Sequence, residues 1–311
     1  MAVPSAAPRI SEYARPSHLL VHLSDTHVRS EGGVFAVDAV RNVRRILDEI
    51  EASGARPDAL VFTGDLADLG EDAAYAALRD VVEPAAARLG ARVVWVMGNH
   101  DSRDAFRRGL LGAQGADPVD AVHDIDGLRL IVLDTSVPGA HHGELSAEQL
   151  SWLARELAVP ARHGTILAMH HPPIPCVLEL ATVVELREQP ALADVIRGSD
   201  VRAVLAGHIH FSSTALFAGI PVSVASSSCY TQDLGVADGG MRPRDGGQSY
   251  NLVHVYDETV VHSVVPFVDA PAAETISAAE TARRLQEAGV VIPPSSRSLS
   301  AEAFAVERVA G

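Results

Sequence analysis

The sequence predicts a mixed α/β fold with two packed sheets. Short apolar runs that end in polar clusters are typical of buried strands, and they lie at 18–25, 58–65, 92–99, 128–134, 165–170 and 202–207. Segments with helical periodicity separate several of these runs, at 36–52, 72–89, 146–157 and 178–197. Later strands follow one another without a helix, divided by a glycine-rich loop at 235–247, and lie at 214–225, 251–256 and 260–267. The alternation indicates βαβ units, and the later strands indicate an antiparallel addition.

The chain of 311 residues is long enough for one large α/β domain with a substantial core. We expect an N-terminal extension at 1–17, the domain at 18–267 and a C-terminal appendage at 268–311. The appendage should contain one helix within 269–289 and an irregular Pro/Ser-rich tail around 293–300. It is either a surface helix with a frayed end or an arm for docking or dimer contact.

The composition excludes several classes of partner. A net charge of −15 opposes a broad surface for DNA or RNA, which needs a basic face. We find no apolar run near the ~20 residues that span a bilayer, and residues 1–17 do not resemble a signal peptide, so a cytoplasmic protein is expected. Cys176 and Cys229 are too few for a disulfide scaffold, and we interpret them as buried, inert thiols.

Polar clusters follow five of the predicted strands. They are Asp25-Thr26-His27, Gly64-Asp65 with Asp68 three residues later, Gly98-Asn99-His100-Asp101, His170-His171-Pro172-Pro173, and Gly207-His208-Ile209-His210. Ligands of open α/β sheets bind beyond the carboxyl ends of the strands. We therefore expect these loops to converge on one place.

The side chains in these clusters predict a site for two metal ions. Carboxylate, amide oxygen and imidazole donors without thiolate suit Mn, Fe, Zn or Co. One ion would take Asp25, His27 and one late histidine, and the other would take Asn99, His170 and the second late histidine. Asp65 is the natural bridge, and two ions about 3.5–4 Å apart would polarise a phosphoryl oxygen and activate a bridging water.

The five clusters together resemble the signature blocks of the calcineurin-like metallophosphoesterases. The resemblance implies a four-layer α/β/β/α sandwich with two central mixed sheets. It also implies two metal sites with one shared carboxylate. The first ion would be held by Asp25, His27, Asp65 and His210, and the second by Asp65, Asn99, His170 and His208.

A closer resemblance, carried by 170–187, 221–234 and 251–266, is to class III cyclic nucleotide phosphodiesterases. It implies hydrolysis of 3′,5′-cyclic nucleotides such as cAMP and cGMP, by attack of a metal-bridging hydroxide, in a homodimer. The alternatives are another small diester, such as a glycerophosphodiester or a 2′,3′-cyclic nucleotide, and a non-catalytic binding module. With aromatic residues at 5%, the sequence names no side chain that would stack on a base.

His100 is the candidate catalytic residue outside the metal ligands. It would stabilise the transition state or protonate the leaving group, the alternative being a purely structural imidazole. In relatives with the Gly-Asp-x-x-Asp pattern the second Asp holds this histidine, and here that residue is Asp68. Spacing alone leaves Asp68 and Asp101 both open as its partner.

Substrate contacts are expected from Asn99 and His100, and from His141 or His142, which follow the fourth strand near the expected pocket edge. His171 fills a variable position of its block, and we interpret it as a loop residue. The other histidines are expected to be structural, and they are His18, His22, His123, His163, His254 and His262.

Overall fold

The structure, a computed structural model, describes residues 13–237, 239–267 and 273–290. The described strands are β1 (His18–Leu23), β2 (Ala59–Thr63), β3 (Arg92–Val96), β4 (Ala121–Ile125), β5 (Leu128–Leu133), β6 (Thr165–Met169), β7 (Val201–Ala206), β8 (Ser213–Phe217), β9 (Ile220–Val224), β10 (Thr231–Gln232), β11 (Pro243–Arg244), β12 (Ser249–Val255) and β13 (Val260–Pro266). The helices are α1 (Ala39–Ser53), α2 (Asp72–Leu89), α3 (Arg103–Phe106), α4 (Ala147–Glu156), α5 (Gln189–Ile196) and α6 (Ala278–Glu287), with a π-helical turn at Arg107–Leu111 and a 3-10 helix at Glu179–Val184.

Two mixed sheets form the centre of the fold. The first has the order β13-β12-β1-β2-β3, with β1, β2 and β3 parallel and the C-terminal pair antiparallel. The second has the order β4-β5-β6-β7-β9-β8, parallel from β5 to β9 and antiparallel at both edges. The carboxyl ends of the parallel strands therefore lie at one edge of each sheet.

Three apolar cores stack the elements into four layers. Ile46 of α1 and Leu78 of α2 belong to the core that covers the outer face of the first sheet. Val61 and Leu205 belong to the core between the two sheets. Leu153 of α4 belongs to the core on the outer face of the second sheet. The expected α/β/β/α sandwich is confirmed.

The predicted helix at 178–197 is wrong. Its first part is the 3-10 helix, and its last part is α5, which begins beside Pro190. Between them the chain is extended, because Gly143 donates to the Glu185 carbonyl at 3.2 Å and Arg187 donates to the Gly143 carbonyl at 2.8 Å. The apolar periodicity suggested a single helix, but the apolar side chains of the 3-10 segment line a cavity, whereas those of α5 pack in a core.

Three smaller features also differ from expectation. The single strand expected at 214–225 is the hairpin of β8 and β9, turned at Ala218 and Gly219 with φ of 52° and 85°. Strand β4 was not predicted. Within the glycine-rich loop, the short strand β11 pairs with β10.

The terminal segments are only partly described. Helix α6 lies inside the predicted helical stretch and belongs to the smaller of two compact units, whereas the larger unit covers His18–Val255 and Thr259–Val268. The irregular tail at 293–300 and residues 1–12 lie outside the described residues. The three-part division at 17 and 267 stays a prediction.

Two expectations from composition concern membrane-spanning segments and the two cysteines. Across the described ranges, the structure holds no helix that is long and apolar enough to cross a membrane. Both cysteines are free; Cys229 is buried as expected, and Cys176 is half-buried.

His262 on β13 gives stability an acid-sensitive component. Both of its ring nitrogens are buried without a hydrogen-bond partner, and burial lowers the pKa of His262 to about 4. Below pH 6.5 the unfolded chain takes up a proton that the folded chain does not, so the contribution is present above that pH and lost as the pH falls. We predict that His262→Leu becomes relatively more stable than wild type by up to about 2 kcal/mol between pH 8 and pH 5.

Urea unfolding at both pH values measures this difference, with Val261→Leu on the same strand as a control that changes no titrating group. A difference between His262→Leu and wild type that does not depend on pH contradicts the prediction.

Candidate active site

The candidate site lies where the carboxyl ends of the two sheets meet. Asp25, His27, Asp65 and Asn99 follow the first three parallel strands of the first sheet, and His170, His208 and His210 follow β6 and β7 of the second. Backbone hydrogen bonds tie the loops together, since Asp25 donates to the Gly64 carbonyl at 3.0 Å and Gly207 donates to the His170 carbonyl at 3.0 Å. All seven side chains predicted as metal ligands are brought into one cluster.

The first half of the cluster matches the expected first ion. Asp25, His27, Asp65 and His210 each offer one donor atom, and these atoms lie within 4.8 Å of one another. Nε2 of His210 lies 3.1 Å from Nε2 of His27 and 3.4 Å from Oδ1 of Asp25. The four donors surround a single point closely enough for one small cation.

The second half of the cluster is centred on Nε2 of His170. This nitrogen lies 3.1 Å from Oδ1 of Asn99, 3.2 Å from Nδ1 of His208 and 3.3 Å from Oδ2 of Asp65. The same Asp65 oxygen lies 3.6 Å from Nε2 of His27. Asp65 therefore lies between the two halves, as a bridging carboxylate must.

Each imidazole in the cluster makes a second contact, through the ring nitrogen that faces away from the cluster. The outward nitrogens meet Asp68 Oδ1 (3.0 Å, from His27), the Thr63 carbonyl (2.8 Å, from His170), the Val184 carbonyl (2.9 Å, from His208) and the Tyr230 carbonyl (2.8 Å, from His210). A carbonyl only accepts, so the nitrogen facing it carries the proton. In the neutral ring the inward nitrogen then has a lone pair, which is the arrangement of metal-binding histidines.

The electrostatics of the cluster favour bound cations. Burial lowers the pKa of His208 to about 3 and that of His210 to about 4, which keeps both rings neutral. Burial would also lower the pKa of His170, but the Asp65 carboxylate outweighs it and raises that pKa to about 9. For Asp65, burial acts to raise the pKa, whereas His170 and His27 hold it well below the ordinary value. The carboxylate oxygens and ring nitrogens that face into the cluster are thus stabilised by a positive charge between them. The seven side chains therefore fit bound metal ions.

The backbone at the site is strained. Five of the seven candidate ligands have left-handed backbone conformations, with φ of 52° at Asp25, 44° at His27, 51° at Asp65, 77° at His208 and 59° at His210. Such conformations cost about 1–3 kcal/mol at residues other than glycine and concentrate at functional sites. The sheets, and the backbone hydrogen bonds that join the loops at their ends, hold these residues in place.

Two glycines permit the loops to approach. A Cβ on Gly64, which has φ of 91°, would lie 2.5 Å from Nδ1 of His170. A Cβ on Gly207 would collide with the Ser24 hydroxyl and lie 2.7 Å from Oδ2 of Asp25. The glycines before the ligands therefore serve close packing of one sheet end against the other.

Asp68 contacts two histidines. Its carboxylate lies 3.0 Å from Nδ1 of His27 but 3.7 Å from Nδ1 of His100, which instead donates to the Asp68 carbonyl at 2.9 Å. The expected contact with His100 is thus made mainly by the main chain, and the contact with His27 was missed. The backbone N–H of His100 donates to Oδ1 of Asp65 at 2.8 Å, which fixes both residues.

Asp101 does not hold the His100 ring. Its carboxylate accepts from the backbone N–H groups of Leu66, Ala67 and Gly98 at 2.9–3.1 Å and from the Tyr75 hydroxyl at 2.9 Å. Burial, followed by the Asp65 carboxylate, raises the pKa of Asp101 to about 6, while its three backbone donors act in the opposite direction. Asp101 therefore pins the loop after β2 to the loop after β3.

The remaining predicted site histidines separate into different roles. Nδ1 of His141 lies 3.2 Å from Nδ2 of Asn99, and His141 lines the cavity beside the cluster. His142 does not line this cavity, and its Nε2 instead pairs with Glu144 at 2.9 Å. His171 is not a simple loop residue: it is fully buried, with Nδ1 2.8 Å from the Thr135 hydroxyl and Nε2 donating to the His141 carbonyl at 3.0 Å.

A cavity of about 260 Å³ opens onto the cluster. One side is formed by Asp65, Asn99, His100, His141, His208 and His210. The other side was not predicted, and consists of Leu178, Leu180, Ala181, Val184, Ile209, Tyr230, Gln232 and Met241. The Tyr230 ring lies 4.4 Å from that of His210, and no sequence pattern marks this contact across twenty residues.

The comparisons with known proteins agree with this geometry. Residues 18–212 match the calcineurin-like phosphoesterase family, and the chain belongs to that family. The chain is 61% identical to a probable cyclic nucleotide phosphodiesterase of Rhodococcus erythropolis over 293 residues, covering 93% of this chain and 97% of that one. It is 58% identical to a cAMP/cGMP dual specificity phosphodiesterase of Mycobacterium tuberculosis, covering 93% and 92%.

Among solved structures, a dimetal phosphatase from Danio rerio is similar in fold. The TM-score is 0.59 at 16% sequence identity, over 81% of this chain and 97% of that chain. This similarity supports the sandwich architecture, at an identity too low to say more.

We predict that Asp101→Ala lowers the free energy of unfolding by about 3 kcal/mol, because it leaves several donors without their charged acceptor. Asp104→Ala, three residues away, removes an exposed ion pair with Arg108 and should cost under about 1 kcal/mol. Urea unfolding with chelator present measures both variants without a contribution from bound metal. Equal losses in the two variants would contradict the role of Asp101.

Proposed function

We propose that this protein is a metal-dependent phosphodiesterase that hydrolyses cyclic nucleotides. The observation that carries the proposal is the convergence of seven lone-pair donors on two adjacent points, with Asp65 common to both. The identity of about three residues in five to two proteins named as cyclic nucleotide phosphodiesterases, over nearly the whole chain, supports the substrate class.

The two metal ions are assigned to the two halves of the cluster. The first would be held by Asp25, His27, Asp65 and His210, and the second by Asp65, Asn99, His170 and His208. Nitrogen and oxygen donors of this kind suit Fe, Mn, Zn or Co. When bound, two such ions supply Lewis acidity and lower the pKa of water from 15.7 toward ~7.

The chain itself supplies orientation and charge. Asp68 and three main-chain carbonyls fix the ring orientation of the ligating histidines, which keeps their lone pairs directed inward. Because the fold presets these groups, little reorganisation is needed when substrate binds. Asn99 would both ligate through Oδ1 and, through Nδ2, lie beside His141 at the substrate.

His100 is assigned to the phosphate or the leaving oxygen. Its Nδ1 is committed to the Asp68 carbonyl, and the ring lines the cavity about one third exposed. Nε2 is therefore the nitrogen left for the substrate. His141 lies 5.7 Å from His100 between ring centroids and is assigned to the same substrate group. His142 has no part in this assignment, given its pairing with Glu144.

The other expected properties stay predictions, namely the homodimer and the cytoplasmic location. A non-catalytic binding module is disfavoured because all seven predicted ligand positions carry side chains that can bind a metal ion.

A panel of diesters tests the function. With added Mn, we expect hydrolysis of cAMP and cGMP and of bis-p-nitrophenyl phosphate, with glycerophosphocholine a poorer substrate. A glycerophosphodiester hydrolysed faster than either cyclic nucleotide would replace the proposed substrate class. Absence of hydrolysis of all four compounds by metal-loaded protein would remove the enzyme assignment.

Two variants separate metal binding from turnover. Asp65→Ala should lose the dimetal site and all activity, because it removes the shared ligand. His100→Ala should keep its metal content and lose turnover by about 100-fold or more. Metal analysis by mass spectrometry and steady-state kinetics check both. A fully active His100→Ala enzyme with full metal content would end the assignment of His100.

A further inference from the structure

The cavity has two chemically different sides. The less polar part of its lining, which we call the apolar slot, extends from the metal cluster and consists of Leu178, Leu180, Ala181, Val184, Ile209, Tyr230, Gln232 and Met241. The 3-10 helix Glu179–Val184 supplies much of one wall, and the loop that joins β10 to β11 supplies Met241. Tyr230 lies where the slot meets the metal cluster, with its ring beside that of His210.

The slot is suited to an uncharged group. Among the described residues that line it, none carries a charge, although the chain as a whole has a net charge of −15. Leu180 and Met241 are about half exposed, at 49% and 55%, and this is apolar surface that a ligand would cover. A pocket with apolar walls and a few polar groups is typical of small-molecule recognition.

The loop that carries Met241 is held by ion pairs. The carboxylate of Asp233 accepts from Nε of Arg242 at 2.7 Å and also pairs with Arg244. The backbone N–H of Asp233 donates to the Arg242 carbonyl at 3.1 Å. The ends of the loop are therefore closed on each other, which holds Met241 at the cavity.

Gln232 is the polar exception in the slot. Its backbone N–H donates to the His210 carbonyl at 3.3 Å, so its position is tied to a metal-cluster residue. Its side-chain Oε1 is buried and has no hydrogen-bond partner. Among the described residues no hydrogen bond fixes this oxygen, so a half-turn of the amide, which exchanges its oxygen and its nitrogen, breaks no bond of Oε1.

We propose that the apolar slot binds the base of the cyclic nucleotide and that Gln232 hydrogen-bonds its edge. This inference rests on the proposed function, and it names the part of the substrate that lies away from the phosphate. Adenine presents an amine donor beside a ring-nitrogen acceptor, and guanine presents a carbonyl acceptor beside a ring N–H donor. An amide that can rotate by half a turn matches either pattern. The slot therefore accepts both purines.

The same features disfavour the headgroup of a glycerophosphodiester. A polyol or a quaternary amine would face mainly aliphatic side chains, with one amide for its hydroxyl groups and a single tyrosine instead of acidic groups or an aromatic cage. A flat heterocycle instead covers the aliphatic walls and presents its polar edge to one amide.

Gln232→Leu keeps the size of the side chain and removes its hydrogen bonds. It should lower kcat/KM for cAMP and cGMP about 10-fold each. Hydrolysis of bis-p-nitrophenyl phosphate should fall much less than that of either cyclic nucleotide, since its rings offer no paired donor and acceptor. Gln232→Glu should shift the ratio of rates toward cGMP, because guanine offers a carboxylate two adjacent donors and adenine offers one. The phosphate is common to both substrates, so the ratio cancels any effect of the added charge.

Adenosine tests the slot without any reaction. Calorimetric titration should show adenosine binding to wild type, weakened about 10-fold in Gln232→Leu. Leu180→Asp should weaken it as well, by placing a charge at the mouth of the slot. Gln114→Leu and Val159→Asp are matched controls at exposed positions outside the cavity, and neither should change binding or rate.

The outcomes separate the two proposals. If wild type hydrolyses cyclic nucleotides and both Gln232 variants leave the rates and adenosine binding unchanged, the slot assignment is overturned and the proposed function stands. If wild type hydrolyses no diester, the proposed function fails, and adenosine binding alone then decides the slot. Wild type that binds no adenosine and shows no response to Gln232→Leu overturns the slot in either case.

Discussion

The structure depends on a concentration of inward-facing acceptors that calls for positive charge. Two buried carboxylates, an amide oxygen and four imidazole nitrogens lie within a few ångströms of one another. Burying such groups without compensation is costly, and proteins meet the cost with a paired charge or a metal. The raised pKa of His170 expresses the same demand in the chain alone, since a proton there supplies the missing charge.

The surrounding fold is arranged to maintain that concentration. Left-handed turns at five ligand positions would be unfavourable in isolation, and they persist because sheets, carbonyl acceptors and Asp101 hold the loops on both sides. Glycines at 64 and 207 remove the side chains that would keep the loops apart. The strain, the support and the charge are therefore parts of one arrangement.

Much of the fold and of the metal cluster could be predicted because the ends of the strands carry strong local sequence signals. Apolar runs followed by Asp, Asn or His identified the parallel strands and the metal cluster, from Asp25 to His210. Local patterns could not show that the helical stretch stops at Val184 after a 3-10 helix, since long-range backbone hydrogen bonds with Gly143 hold the following residues extended. Nor could they place Tyr230 and Gln232, which reach the site through long-range packing of the β10 segment. Residue spacing also could not identify the partner of His100, because its ring is held by the main-chain carbonyl of Asp68 and not by a carboxylate.

The division of the cluster between two sheets has a consequence for the lifetime of the folded protein. Four of the assigned ligands come from the first sheet and three from the second, so ions shared by them would act as staples across the central interface. Separating the sheets would require those bonds to break first, which couples opening of the sandwich to loss of metal. Resistance to proteolysis in the cell would then rise with the supply of metal ions.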